Sequence, residues 1–145
     1  MTKLDFWQVT DDPVEKVVAL IAQRTLDGGA RLLVVSDNAD QRAALSRALW
    51  HAGPESFLAH GEAASPGAER QPILLSATLD APNGASHVVL ADGQFREAAG
   101  FDRVFLLFTP EAAPAARQAW RAQTGREDVE RAYYAQENRR WVRKS

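Results

Sequence analysis

An α/β architecture is what this sequence predicts: three layers, with helices on both sides of a mostly parallel central sheet. Three observations carry the prediction. Apolar runs of strand length recur along the chain, helical periodicity fills the first gaps between them, and Gly, Pro, Asn or Asp marks nearly every boundary. A strand-helix-strand-helix opening is the pattern of parallel strands joined by crossover helices.

The elements follow in order. Leu4-Asp5-Phe6-Trp7-Gln8-Val9 alternates apolar and polar residues, as a half-buried first strand does. Asp11-Asp12-Pro13 supplies a helix-capping candidate with proline near the first turn. Val14, Val17, Val18, Ile21 and Ala22 then recur at helical spacing until Asp27-Gly28-Gly29 stops them. Arg31-Leu32-Leu33-Val34-Val35 is a continuous apolar run, typical of a strand covered on both faces. Ser36 to Asp40 leads into a second helix with Ala44, Leu45, Ala48 and Leu49 toward the core. Ile73-Leu74-Leu75, His87-Val88-Val89-Leu90 and Arg103-Val104-Phe105-Leu106-Leu107-Phe108 complete the strands. The expected strands lie near 4–9, 31–36, 72–76, 87–91 and 103–108, and the helices near 13–27, 38–52 and 111–124. Residues 61–71, rich in Gly, Ala, Ser, Pro and Glu, read as a flexible exposed loop. The segment 126–145 is aromatic and basic, with Tyr133, Tyr134 and Trp141. No internal repeat appears, so residues 1–145 are expected to form a single domain.

Composition narrows the function. The hydrophobic fraction is 46% and the charged fraction 25%, ordinary for a globular protein. No apolar run is long enough for a spanning helix, and MTKLDFWQVTDD turns acidic too early for a secretory signal. With no cysteine there is no disulfide framework, thiolate metal site or thiol nucleophile, and a cytoplasmic setting is expected. Charge is uneven: residues 1–110 hold 9 Lys/Arg against 14 Asp/Glu, while residues 111–145 hold 8 against 5. A basic tail on an acidic body suits a local patch for an acidic partner.

The sheet invites a nucleotide site, yet no glycine-rich phosphate loop follows a strand, and Gly28-Gly29 precedes one. The expected fold is therefore Rossmann-like without a nucleotide site. Asp11-Asp12 resembles the acidic pair that holds magnesium in receiver domains. The remaining parts are misplaced: Asp80 lies well beyond Leu75, and Thr109-Pro110 stands where a lysine is needed. Helix capping explains the pair better. A receiver-like phosphoacceptor or a nucleotide-binding enzyme domain is kept as the alternative. His51, His60 and His87 lack metal-ligand spacing, and no serine sits in a nucleophile elbow. No catalytic residue, cofactor or metal is expected.

The last helix, EAAPAARQAWRAQ at 111–123, has Ala112, Ala115, Ala116 and Ala119 as a small-residue face for close packing on a sheet. Arg117, Trp120 and Arg121 fall at i, i+3 and i+4 and project from one side. Two guanidiniums beside an indole can grip a carboxylate while the ring covers an apolar group.

Residues 40–61, DQRAALSRALWHAGPESFLAHG, read as a helix ending in Leu49-Trp50, with a proline turn, Ser56-Phe57-Leu58 and His60-Gly61 expected after it. This order resembles the chi subunit of bacterial DNA polymerase III, a clamp-loader accessory protein. Phe6-Trp7, Phe101-Asp102-Arg103-Val104, Ala116-Arg117-Gln118-Ala119-Trp120-Arg121, Gly125, Tyr133-Tyr134 and Trp141 extend the resemblance over nearly the whole chain. It departs from the family at Ala113, where a lysine is common, and at Ala59, where a proline is usual. The resemblance implies a non-catalytic adaptor linking single-stranded DNA-binding protein to the clamp loader, with indirect DNA contact and no membrane role. Two partners are implied: the acidic Pro-Phe tail of single-stranded DNA-binding protein, and the psi subunit where one is present. It makes Arg117 the arginine that meets the tail and Trp120 its aromatic neighbour, with Arg121 beside them and Trp50 helping to wall the pocket.

Overall fold

The computed structural model describes residues 1–52 and 58–145. Among these, the elements in chain order are β1 (Thr2–Gln8), α1 (Val14–Asp27), β2 (Leu32–Val35), α2 (Ala39–Trp50), β3 (His60–Glu62), β4 (Ile73–Ser76), β5 (His87–Leu90), β6 (Arg103–Phe108), α3 (Ala113–Ala122), β7 (Val129–Glu137) and β8 (Arg140–Arg143). The strands join one sheet in the order β3-β4-β2-β5-β6-β1-β7-β8. Every neighbouring pair is parallel except β7 with β8. The carboxyl ends of the parallel strands therefore share one rim.

Alternation along the strands divides the core in two. Leu32, Val34, Ile73, Leu75, Val89, Phe105 and Leu107 face one side, where α1 and α2 lie with Val17, Val18, Ile21, Leu45 and Leu49. Leu33, Val35, Leu74, Val88, Leu90, Phe6, Leu106 and Phe108 face the other, where α3 lies with Ala113 and Ala116. Strands β2 and β4 are buried from end to end, which accounts for their unbroken apolar runs. Helix α1 stops where Gly29 takes φ +82°, a left-handed conformation that suits glycine. No helix among the described residues is long and apolar enough to cross a membrane.

Four expectations change. Asp11 and Asp12 do not cap α1, whose N-cap is Pro13 with no side-chain cap bond. Asp11 instead accepts a hydrogen bond from the Arg139 N–H at 2.8 Å, and Asp12 accepts one from Gln136 Nε2 at 2.7 Å. The stretch 61–71 is not loop throughout: it contains part of β3 and a 3₁₀ turn, Ala68–Arg70. The aromatic segment after 126 forms two strands, β7 pairing with β1 and β8 folding back on β7. On α3, Ala113 takes the buried place expected for Ala115, which is exposed. Trp50 was expected beside Phe57, which lies outside the described residues.

One charge pair ties the rim. Asp92 accepts two hydrogen bonds from Arg96, at 2.9 and 2.7 Å, and others from the N–H groups of Asp37 and Gln94. Burial pushes its carboxyl upward, but those bonds, Arg96 first, outweigh it and hold the group below the ordinary carboxylate range. A depressed folded value stabilises at neutral pH, and that contribution is lost as pH falls through the folded value. Asp92→Asn should therefore melt lower at neutral pH, with the difference narrowing as pH falls below the ordinary carboxylate range. Melting temperature against pH checks this.

Candidate functional site

Arg117, Trp120 and Arg121 do converge. They line an open groove of about 630 Å³ between α3, the carboxyl end of β1 and the β7–β8 hairpin. The cause is local: Ala112, Ala113, Ala116, Ala119 and Trp120 form the sheet-facing stripe of α3. Arg117 and Arg121, one position off that stripe, are left exposed beside it. None of the ion pairs found among the described residues involves either arginine.

Trp120 is more embedded than its spacing suggests. Its ring meets Phe6 edge-on at 5.3 Å and Tyr133 edge-on at 5.6 Å. The Arg131 guanidinium stacks 4.2 Å from the ring centroid and donates a hydrogen bond to the Trp120 carbonyl. The indole is thus the partly buried floor of the groove, locked by core and cation, while the two arginines are its exposed rim. Tyr133 stacks on Phe6 at 6.1 Å and donates its hydroxyl to Gln8 Oε1 at 3.4 Å. Burial pushes the Tyr133 phenol upward, with Arg117 beside it pulling the other way. Arg117 and Tyr133 thus line the same end of the groove.

Trp50 does not wall this groove. It ends α2 on the opposite face, 54% exposed, with its ring 5.5 Å from His60 on β3. From β3 to β1 is five strand spacings in the sheet order, about 24 Å. Amphipathic spacing fixes which side of a helix faces the sheet, but not which side of the sheet receives the helix. Trp50→Ala should leave binding at the Arg117 groove within about twofold, measured by titration with an acidic peptide.

The alternatives can be read from the same geometry. The groups Asp11 and Asp12 are spent on the β7–β8 hairpin, so the receiver-like arrangement is not assembled. At the ends of β2 and β5, where such sheets bind phosphates, Asp92 takes the Asp37 N–H. Asn38 takes the first free N–H groups of α2, those of Asp40 and Gln41. Carboxylates there repel a phosphate. His60 donates from Nδ1 to the Leu58 carbonyl at 2.8 Å, leaving Nε2 to accept from the Ser46 hydroxyl at 2.8 Å, which is a turn-fixing role. Among the described residues no group of three His, Asp or Glu side chains is placed to hold a metal ion. Tyr134 and Trp141 lie with Trp7 on the face opposite Trp120 and Tyr133.

Sequence reasoning missed Gln8, Tyr133, Gln136, Glu137 and Lys144 of this groove. All but Gln8 come from the carboxy-terminal strands or the residue just beyond them. Asn138 was the available signal: Asn138 and Arg139 have φ of 51° and 64°, the left-handed pair of a two-residue hairpin turn, where asparagine is favoured.

A search of the curated proteins returns no match. The family model described as DNA polymerase III chi subunit, HolC, matches residues 1–128, which include Arg117, Trp120 and Arg121. With that match spanning most of the 145 residues, the chain belongs to the DNA polymerase III chi subunit family, whose members are accessory subunits of that polymerase.

Proposed function

We propose that this chain is a non-catalytic adaptor that holds the acidic carboxy-terminal tail of single-stranded DNA-binding protein and links it to the clamp loader. The observation that carries the reading is the groove itself: two exposed arginines outside every ion pair found among the described residues, above an aromatic floor of Trp120 and Tyr133. A terminal carboxylate suits the guanidinium fork, and a phenyl ring suits the edges of Trp120 and Tyr133. The carboxyl-rim location is also where sheets of this kind take ligands. Linking two partners at once requires a second surface that the tail leaves open. Trp50, half exposed on the α1–α2 layer, lies on such a surface, and a psi subunit would dock away from α3.

Co-elution on gel filtration tests the partner. Intact single-stranded DNA-binding protein should carry this chain with it, and the same protein lacking its acidic tail should not. Equal co-elution of both forms would assign binding to another part of that protein.

A further inference from the structure

Resting on the reading that the α3 groove takes an acidic peptide, we infer that Lys144 is a second ligand-binding cation of that site. Glu137 is then its built-in stand-in for the ligand's carboxylate, displaced when the peptide arrives.

Lys144 Nζ lies 2.6 Å from Glu137 Oε1, and both side chains are about half exposed, at 46% and 49%. Both line the groove that holds Arg117, Arg121 and Trp120. The backbone fixes the lysine in place, because the Lys144 N–H donates to the Tyr133 carbonyl at 2.7 Å, and the Tyr133 N–H donates to Ser145 at 3.1 Å. Its register thus follows Tyr133, which lines the same groove as Arg117.

Among its side chains the groove holds three cations, Arg117, Arg121 and Lys144, against one carboxylate, Glu137. A half-exposed pair contributes little to folding, so exchanging its anion costs little. An extended acidic peptide carries carboxylates at several positions, so one can meet the α3 arginines while another replaces Glu137 on Lys144. Affinity is then set partly by competition between Glu137 and the ligand for a single ammonium group.

Isothermal titration with a synthetic acidic peptide ending in Pro-Phe tests this on the full chain, using Lys144→Gln, Glu137→Gln, the double variant and Arg117→Ala. Glutamine retains chain length, and matching melting temperatures will confirm that the hairpin is intact. Lys144→Gln should weaken binding about twofold to fivefold, and Glu137→Gln should tighten it by a similar factor. The gain from Glu137→Gln should shrink when Lys144 is also replaced, because part of that gain is the release of the lysine. If Arg117→Ala weakens binding while Lys144→Gln does not, the groove reading stands and this inference is overturned. An equal gain from Glu137→Gln with and without Lys144 would reduce Glu137 to simple repulsion and overturn the displacement. No binding by the wild type would overturn the groove reading, and this inference with it.

Discussion

Arg117→Ala should weaken binding of the acidic Pro-Phe peptide on the order of tenfold to a hundredfold, the range expected for a hydrogen bond to a charged partner. The side chain is exposed, takes part in no ion pair found among the described residues, and lines the groove with Tyr133. Little folding energy depends on it, so the melting temperature should hardly move. Raising salt should weaken the wild type more steeply than the variant, which has already lost one charge contact. Trp120 requires a gentler change. Its ring packs on Phe6 and Tyr133 beneath Arg131, so Trp120→Ala would disturb the floor of the groove as well as the ligand contact. Trp120→Phe keeps the packing and should cost affinity with little change in salt dependence. A loss for Arg117→Ala below about twofold would move the binding site off α3.

The largest stability effect should come from Gln136→Ala, at about 2–3 kcal/mol, or roughly 6–12 °C in melting temperature. Gln136 is 5% exposed. Its Oε1 accepts from the N–H groups of Thr10, Asp11 and Asp12 at 3.1, 3.0 and 3.4 Å, while its Nε2 donates to Asp12. One side chain thus closes the turn between β1 and α1 and ties it to β7. Truncation leaves several backbone donors without their acceptor, and water can replace it only in part. Gln136→Glu should be destabilising for a different reason, because it sets a second carboxylate against Asp12. Thermal melts of the two variants check this. A shift under 2 °C for Gln136→Ala would mean that solvent already serves these groups.

Most of the sheet and all three helices could be read from the residues because their apolar runs and periodicities are their own. Strands β2, β4, β5 and β6 are buried along nearly their whole length, so burial itself wrote the sequence signal. Strand β7 carries no such signal. Val129-Glu130-Arg131-Ala132-Tyr133-Tyr134-Ala135-Gln136-Glu137 is held by pairing with β1 across seven residue positions and by the side chains around it. Tertiary context overrides local propensity there. The consequence for the site is direct. Arg117, Trp120 and Arg121 were legible because all three sit on one helix at one spacing, whereas Tyr133, Gln136, Glu137 and Lys144 arrive with strands that the sequence did not announce. Trp50 shows the complementary failure: an aromatic at a helix end, expected to wall the pocket, stands on the other layer beside His60. The Asp11-Asp12 pair was read from its neighbours in sequence, while its actual partners, Gln136 and Arg139, are more than 120 residues away.

Titration of the wild type with two peptides, identical except that one lacks its terminal Pro-Phe, tests the central claim most directly. A pocket formed by guanidiniums over an aromatic floor requires the phenyl ring and the carboxylate together. The full peptide should bind, and the truncated one should bind at least tenfold more weakly although its acidic residues remain. Equal affinity for the two would contradict the account, leaving a diffuse basic patch on α3 in place of a specific site.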